Sequence, residues 1–105
     1  MLPIALKPST HAAKKYMVTI PNAATGRTKT VHFGARGMSD YTVHKDKARM
    51  ARYIARHAAR ETWTKAGLTT AGFWSRWLLW SKPSMAAAIR LLATKFGIQV
   101  TLRRR

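Results

Sequence analysis

The stretch SDYTVHKD places Ser39, Asp40, His44 and Asp46 within one short segment. A hydroxyl, an imidazole and two carboxylates at such close spacing are the raw material of nucleophilic or general-base chemistry. That chemistry also needs an exposed nucleophile turn and oxyanion donors, and neither motif accompanies this stretch. A metal-dependent nuclease would need clustered acids, whereas the chain has three in all: Asp40, Asp46 and Glu61. The four histidines, His11, His32, His44 and His57, are scattered, and there is no cysteine, so a zinc site lacks ligands and disulfides are excluded. The expectation is therefore no catalytic residue, no metal and no cofactor. Asp40 and Asp46 are expected to cap helices or pair with basic neighbours, His44 to help cap its helix, and His57 to sit satisfied in the core.

Charge points elsewhere. Lysine and arginine number 20 among 105 residues, for a net charge of +17. Like charges repel in a compact state, so this imbalance makes sense when the partner is acidic: nucleic acid, an anionic membrane or acidic protein. Lys45, Arg49, Arg52, Arg56 and Arg60 recur at helical spacing and predict one narrow basic ridge. The ordinary reading of such a ridge is a solvated face, which this net charge makes harder to sustain. Phosphates would make binding fall with salt, and the arginine fork suits carboxylates equally well. The ridge alone does not separate the two. Further cations are Arg27 and Lys29 near a hairpin tip, and Arg103, Arg104 and Arg105 in a basic tail.

The aromatics concentrate in AGFWSRWLLW, which holds Phe73, Trp74, Trp77 and Trp80, with Trp63 shortly before it. Aromatics among basic residues can stack on bases or lie on a membrane surface. A segment apolar nearly all round is ordinarily buried, so core is the primary reading. Three tryptophans diverging around one helix predict that one of them reaches a partner surface. Arg76 has three open places: stacked on a ring, projecting to solvent, or paired with an acid, for which Glu61 is the candidate.

The elements that must position these residues follow from periodicity. KKYMVTI and TKTVHF alternate around the turn-forming PNAATGRT, predicting a β-hairpin. DKARMARYIARHAARETW predicts a helix with Met50, Tyr53, Ile54 and His57 as its apolar stripe, and FWSRWLLW a short helix capped by Thr69 or Thr70. SMAAAIRLLATKFG predicts a last helix, with Met85, Ile89, Leu92 and Phe96 inward and Gly97 as its stop. GIQVTL alternates and predicts a third strand joining the hairpin. The start, broken by Pro3, Lys7 and Pro8, is expected to be an extended arm and not a signal peptide. The fold class expected is α+β, a hairpin or three-stranded antiparallel sheet on about three helices. An arm (1–14), one small domain (15–102) and a basic tail (103–105) make up the organisation. No segment reaches the roughly 20 apolar residues of a membrane span.

Phe33-Gly34, Ser39 to Thr42, His44 to Asp46, Tyr53, Arg56-His57, Gly72 to Trp80 and Lys82-Pro83 form a pattern. It resembles a family of small basic proteins of large double-stranded DNA viruses that carries no assigned activity. The resemblance spans roughly Lys15 to Phe96, and the tryptophan block is its most specific part. Lys47 departs from it, standing where a proline is expected. The resemblance implies a virion-associated protein and supplies no catalytic residue.

Two functions remain as expectations. One is a non-enzymatic virion structural protein, a minor-capsid-type staple between larger, acidic-patched virion proteins. The other is a nucleic-acid-binding or packaging protein that neutralises genome phosphates. Composition favours the second and the resemblance the first, which is the reading adopted here. It places the protein in the virion, and in the cytoplasm or nucleus of the infected cell during assembly.

Overall fold

The structure is a computed structural model that describes residues 1–22 and 24–103. Arg104 and Arg105 of the expected tail therefore lie outside the described residues, and Arg103 is exposed. Four strands, β1 (Leu2–Pro8), β2 (Lys14–Pro21), β3 (Thr28–Ala35) and β4 (Ile98–Leu102), form one sheet in the order β3-β2-β1-β4. β1 pairs antiparallel with β2, and β2 with β3, whereas β1 and β4 run parallel. The α+β class holds, but the sheet is four-stranded and mixed where a hairpin or three-stranded antiparallel sheet was expected.

The difference lies in the first residues. Leu2–Pro8 is an interior strand of the sheet, and β4 joins this strand and not the hairpin. The two prolines are accommodated by the stagger of the neighbours. β2 pairs with β1 over Ala5 to Pro8 and β4 pairs over Leu2 to Leu6, so Pro3 and Pro8 each lie where only one side is paired. A proline is tolerated there because no ladder donor is required on the open side.

Alternation sets the faces of the sheet. Ile4, Leu6, Val18, Ile20, Val31, Phe33, Ile98 and Val100 turn inward to a single core. The opposite face carries Thr101, Ala5, Thr19 and Thr30 in one row across all four strands. Over the core face lie α3 (Ala71–Trp74), which widens into a π turn (Ser75–Leu79), and α4 (Met85–Phe96). Within the wider turn, where Trp80 N–H donates to the Ser75 carbonyl, positions five apart share a side. Phe73 with Leu78, and Trp74 with Leu79, are accordingly all buried. Ala88 and Leu92 of α4 complete the core, with Met85, Ile89 and Phe96 packed partly against it. α4 ends at Gly97 with φ 67°, the left-handed stop expected of it.

Two further helices follow β3 in the chain, before the tryptophan block. The one-turn α1 (Tyr41–His44) is capped by Asp40, and α2 (Lys47–His57) is capped by Asp46. Among the described residues four α-helices thus stand where about three helices were expected, and α2 stops short of the Trp63 boundary. Of the eleven residues of α2, Tyr53 alone is buried, so this helix is fastened to the body at essentially one point.

Candidate docking surface

Tyr53 is the fastening. Its ring lies parallel to Trp80, with centroids 4.4 Å apart and 4° between planes, and His57 stacks on Tyr53 at 4.3 Å. Burial, and then the negative charge of Glu61, push the Tyr53 phenol upward, so it stays protonated. His57 Nδ1 donates to Glu61 Oε2 at 3.1 Å, and Trp63 Nε1 donates to Glu61 Oε1 at 2.9 Å. One carboxylate thus ties α2 to the segment that follows it. Gly72 makes room for this carboxylate: a Cβ there would stand 2.7 Å from Glu61 Cδ. Gly34 plays the same part beside Leu79, whose Cδ1 is 2.8 Å from where its Cβ would be, and its φ of 78° suits glycine as well.

The other two acids are spent nearby. Asp40, 3% exposed, accepts from Lys15 Nζ at 2.6 Å and from the Thr42 N–H at 2.9 Å, and also from the Thr42 hydroxyl. Asp46 accepts from the N–H groups of Ala48 and Arg49. These backbone bonds, that of Arg49 first, hold its carboxyl below the ordinary value. His44 Nδ1 accepts from the Asp46 N–H, extending the same turn. The Ser39, Asp40, His44 and Asp46 group is therefore arranged as two successive helix caps, with no hydrogen bond joining Ser39 to His44.

Each of the three acids is thus engaged, and the cations of α2 find at most the nearby charge of Asp46, which acts on Arg52 without an ion pair. Arg49, Arg52 and Arg56 are exposed, and among the described residues none of them forms an ion pair. The expected ridge is shorter at both ends. Lys45 adopts a left-handed backbone with φ 56°, and its Nζ donates to the carbonyls of Thr42 and Pro83, which pins α1 to the turn before α4. Arg60 lies beyond the end of α2. Arg27 and Lys29 are exposed around the hairpin loop, remote in the chain from the ridge.

The tryptophans take distinct places. Trp74 is fully buried and its Nε1 donates to the Leu68 carbonyl at 2.7 Å. Trp77 is half-buried, donates to the Trp63 carbonyl at 2.8 Å, and has the Arg76 guanidinium 4.4 Å from its centroid. Arg76 also lies 5.4 Å from the Trp63 ring and donates from Nη1 to the Trp80 carbonyl at 2.6 Å. Of its three open places it takes the stacked one, while Glu61 goes to His57. Burial lowers the Arg76 pKa. Trp80 is half-buried and lines the clefts beside α2.

Together these clefts form a trough. A cleft of about 340 Å³ opens between α2 and the ends of β2 and β3, lined by Lys14, Ser39, Tyr53, Arg56 and Trp80 among others. A second hollow of about 190 Å³ continues it along α2 past Arg49 and Arg52. Met38, Ser39, Arg56 and Trp80 border both. Met38, 66% exposed, adds an apolar edge. Periodicity could place the arginines on one face, but the Met38–Ser39 wall opposite them depends on the turn at Arg36–Gly37, where Gly37 has φ 90°, and on the Lys15–Asp40 pair that holds the chain beyond it.

The class defined by this fold and surface is a small, strongly basic α+β protein that presents a cationic helix on an aromatic clamp. The chain belongs to the family of unknown function DUF5754, whose family model matches residues 4–57. That match runs from β1 to the end of α2 and leaves the tryptophan block outside it. No curated protein and no solved structure matches the chain. Among the described residues no helix is long and apolar enough to cross a membrane.

Proposed function

We propose that this chain is a non-enzymatic structural protein of the particle of a large double-stranded DNA virus, a staple that fastens onto larger proteins through their acidic patches. The observation that carries the reading is the fate of the three acids. Asp40, Asp46 and Glu61 each accept hydrogen bonds from the chain itself, and Arg49, Arg52 and Arg56 stand exposed without an ion pair among the described residues. Their charge is directed outward, to carboxylates that another chain supplies. The viral setting is supported by the resemblance of the SDYT, HKD and tryptophan-block residues. The test is fractionation of gently opened particles: the protein stays with the emptied shell after nuclease and salt washing. Release together with the genome would sink the staple reading.

The net charge of +17 favours a second reading, in which the same three arginines neutralise nucleic-acid phosphates. Under it, replacing Arg49, Arg52 and Arg56 with Gln lowers duplex affinity and reduces the salt slope by about three, one for each lost contact. Unchanged affinity and slope would remove it.

A further inference from the structure

We propose that the trough beside α2 takes an extended acidic segment of a partner protein, with carboxylates at alternate positions on the arginines and an apolar side chain between them on Met38 and Trp80. This rests on the protein-docking reading above and specifies what is docked.

Shape is the first ground. Arg49, Arg52 and Arg56 line a hollow, with Met38 and Ser39 as its other wall, and do not stand on a free convex face. A duplex is a convex cylinder and meets a helix that projects into its groove. An extended chain fits a trough.

Apolar surface in the midst of the charge is the second. Met38 is 66% exposed, and Trp80 borders both hollows. A phosphate backbone offers nothing to such surface, whereas a peptide offers a side chain. Single-stranded bases are poorly served, because Tyr53 already covers one face of Trp80 at 4.4 Å and His44 packs against the ring at 5.3 Å.

Spacing is the third. Arg52 and Arg56 are four residues apart on a helix, a rise of about 6 Å. Alternate residues of an extended chain are about 7 Å apart and point the same way. Two carboxylates at i and i+2 therefore match two guanidinium forks, each able to bind bidentately, while the residue between them turns to the other side. The charge of the trough itself favours an anion: its two acids, Asp40 and Glu61, are tied to Lys15 and His57, which leaves Lys14 and the three arginines.

The test uses the full chain and fluorescence anisotropy with labelled probes. These are an extended peptide of alternating Glu and Leu, a peptide of the same charge with Ser in place of Leu, and a duplex DNA. The alternating peptide is expected to bind more tightly than its Ser counterpart. Arg52→Gln and Arg56→Gln each weaken it about tenfold, the loss of one charge-assisted contact. Met38→Ser, an exposed change that spares the fold, weakens it about fivefold and leaves duplex binding unchanged. If both peptides bind equally and Met38→Ser has no effect, the trough proposal is overturned while arginine-dependent acidic docking survives. If neither peptide binds and the duplex binds through the same arginines, the trough proposal and the docking reading fall together.

Discussion

Tyr53 and Trp80 stack face to face, 4.4 Å apart and 4° from parallel, and this contact joins the basic helix to the core. Trp80 follows directly on the buried Leu78 and Leu79, which anchor it against the sheet. Tyr53 is the single buried residue of α2. Position and orientation of Arg49, Arg52 and Arg56 thus depend chiefly on this aromatic pair, with the His57–Glu61 bond beside it, and the hydrophobic core proper does not reach beneath the helix.

Tyr53→Ala should free α2 before it unfolds the sheet. The loss combines a large-to-small truncation with the stacking term, about 3 kcal/mol together. Hydrogen exchange would show protection lost over residues 47–57 while the amides of β1 and β2 stay protected. Tyr53→Phe keeps the ring and should leave exchange near the original pattern. Equal loss of protection in helix and sheet for Tyr53→Ala would mean that α2 belongs to the global folding unit.

Arg76 should not tolerate lysine. Its guanidinium reaches Trp77 and Trp63 together and donates to the Trp80 carbonyl, a combination that requires a planar fork. Arg76→Lys preserves the charge and forfeits that geometry, so denaturant unfolding should report a loss of about 1–2 kcal/mol. A midpoint unchanged by this substitution would reduce the stacked guanidinium to a surface ornament.

Much of this arrangement was legible in the sequence, and the failures have physical causes. The hairpin, the inward stripe of α4, the Gly97 stop and β4 all follow from local periodicity. β1 carried the same period-two signal in Leu2, Ile4 and Leu6, but Pro3 and Pro8 argued against a ladder. What admits them is the stagger of β2 and β4, a tertiary fact. Position also hides the clamp: Tyr53, His57, Glu61, Gly72 and Trp80 meet only after the chain has turned several times. The ridge was overextended because Lys45 matches helical spacing, whereas its left-handed backbone separates α1 from α2. Divergence of the tryptophans was readable, but the π turn that sends Trp74 inward and leaves Trp80 at the trough was not.

Gly72 should change the sign of its effect with its neighbour. In the native background Gly72→Ala drives a Cβ to within 2.7 Å of Glu61 Cδ, so the carboxylate must leave His57 and Trp63, and stability should fall by about 2 kcal/mol. In an Glu61→Ala background that obstruction is gone, and alanine is the better helix former by about 1 kcal/mol. There Gly72→Ala should be neutral or stabilising. A double-mutant cycle by urea denaturation measures the coupling, and additive losses would show that Gly72 is required for some reason other than space.

Acid should loosen the start of α2. The Asp46 carboxylate accepts from the Arg49 and Ala48 N–H groups, which lowers its pKa from the ordinary 3.8. A group depressed in the folded state contributes stability that is fully present above its unfolded value. That contribution is lost as pH falls through the lower folded value. Between neutral pH and about pH 5 the cap is therefore complete, and below about pH 4 it fails progressively as the carboxyl protonates. Asp46→Asn keeps an acceptor oxygen and removes the titration, so it should flatten this part of the acid limb at little cost near neutrality. Asp46→Ala removes cap and titration together and should lower stability at pH 7 as well. Amide exchange of Ala48 and Arg49 followed from pH 6 to pH 3 distinguishes the three proteins. Acid opening of the α2 start in Asp46→Asn as steep as in the native chain would assign the transition to another group.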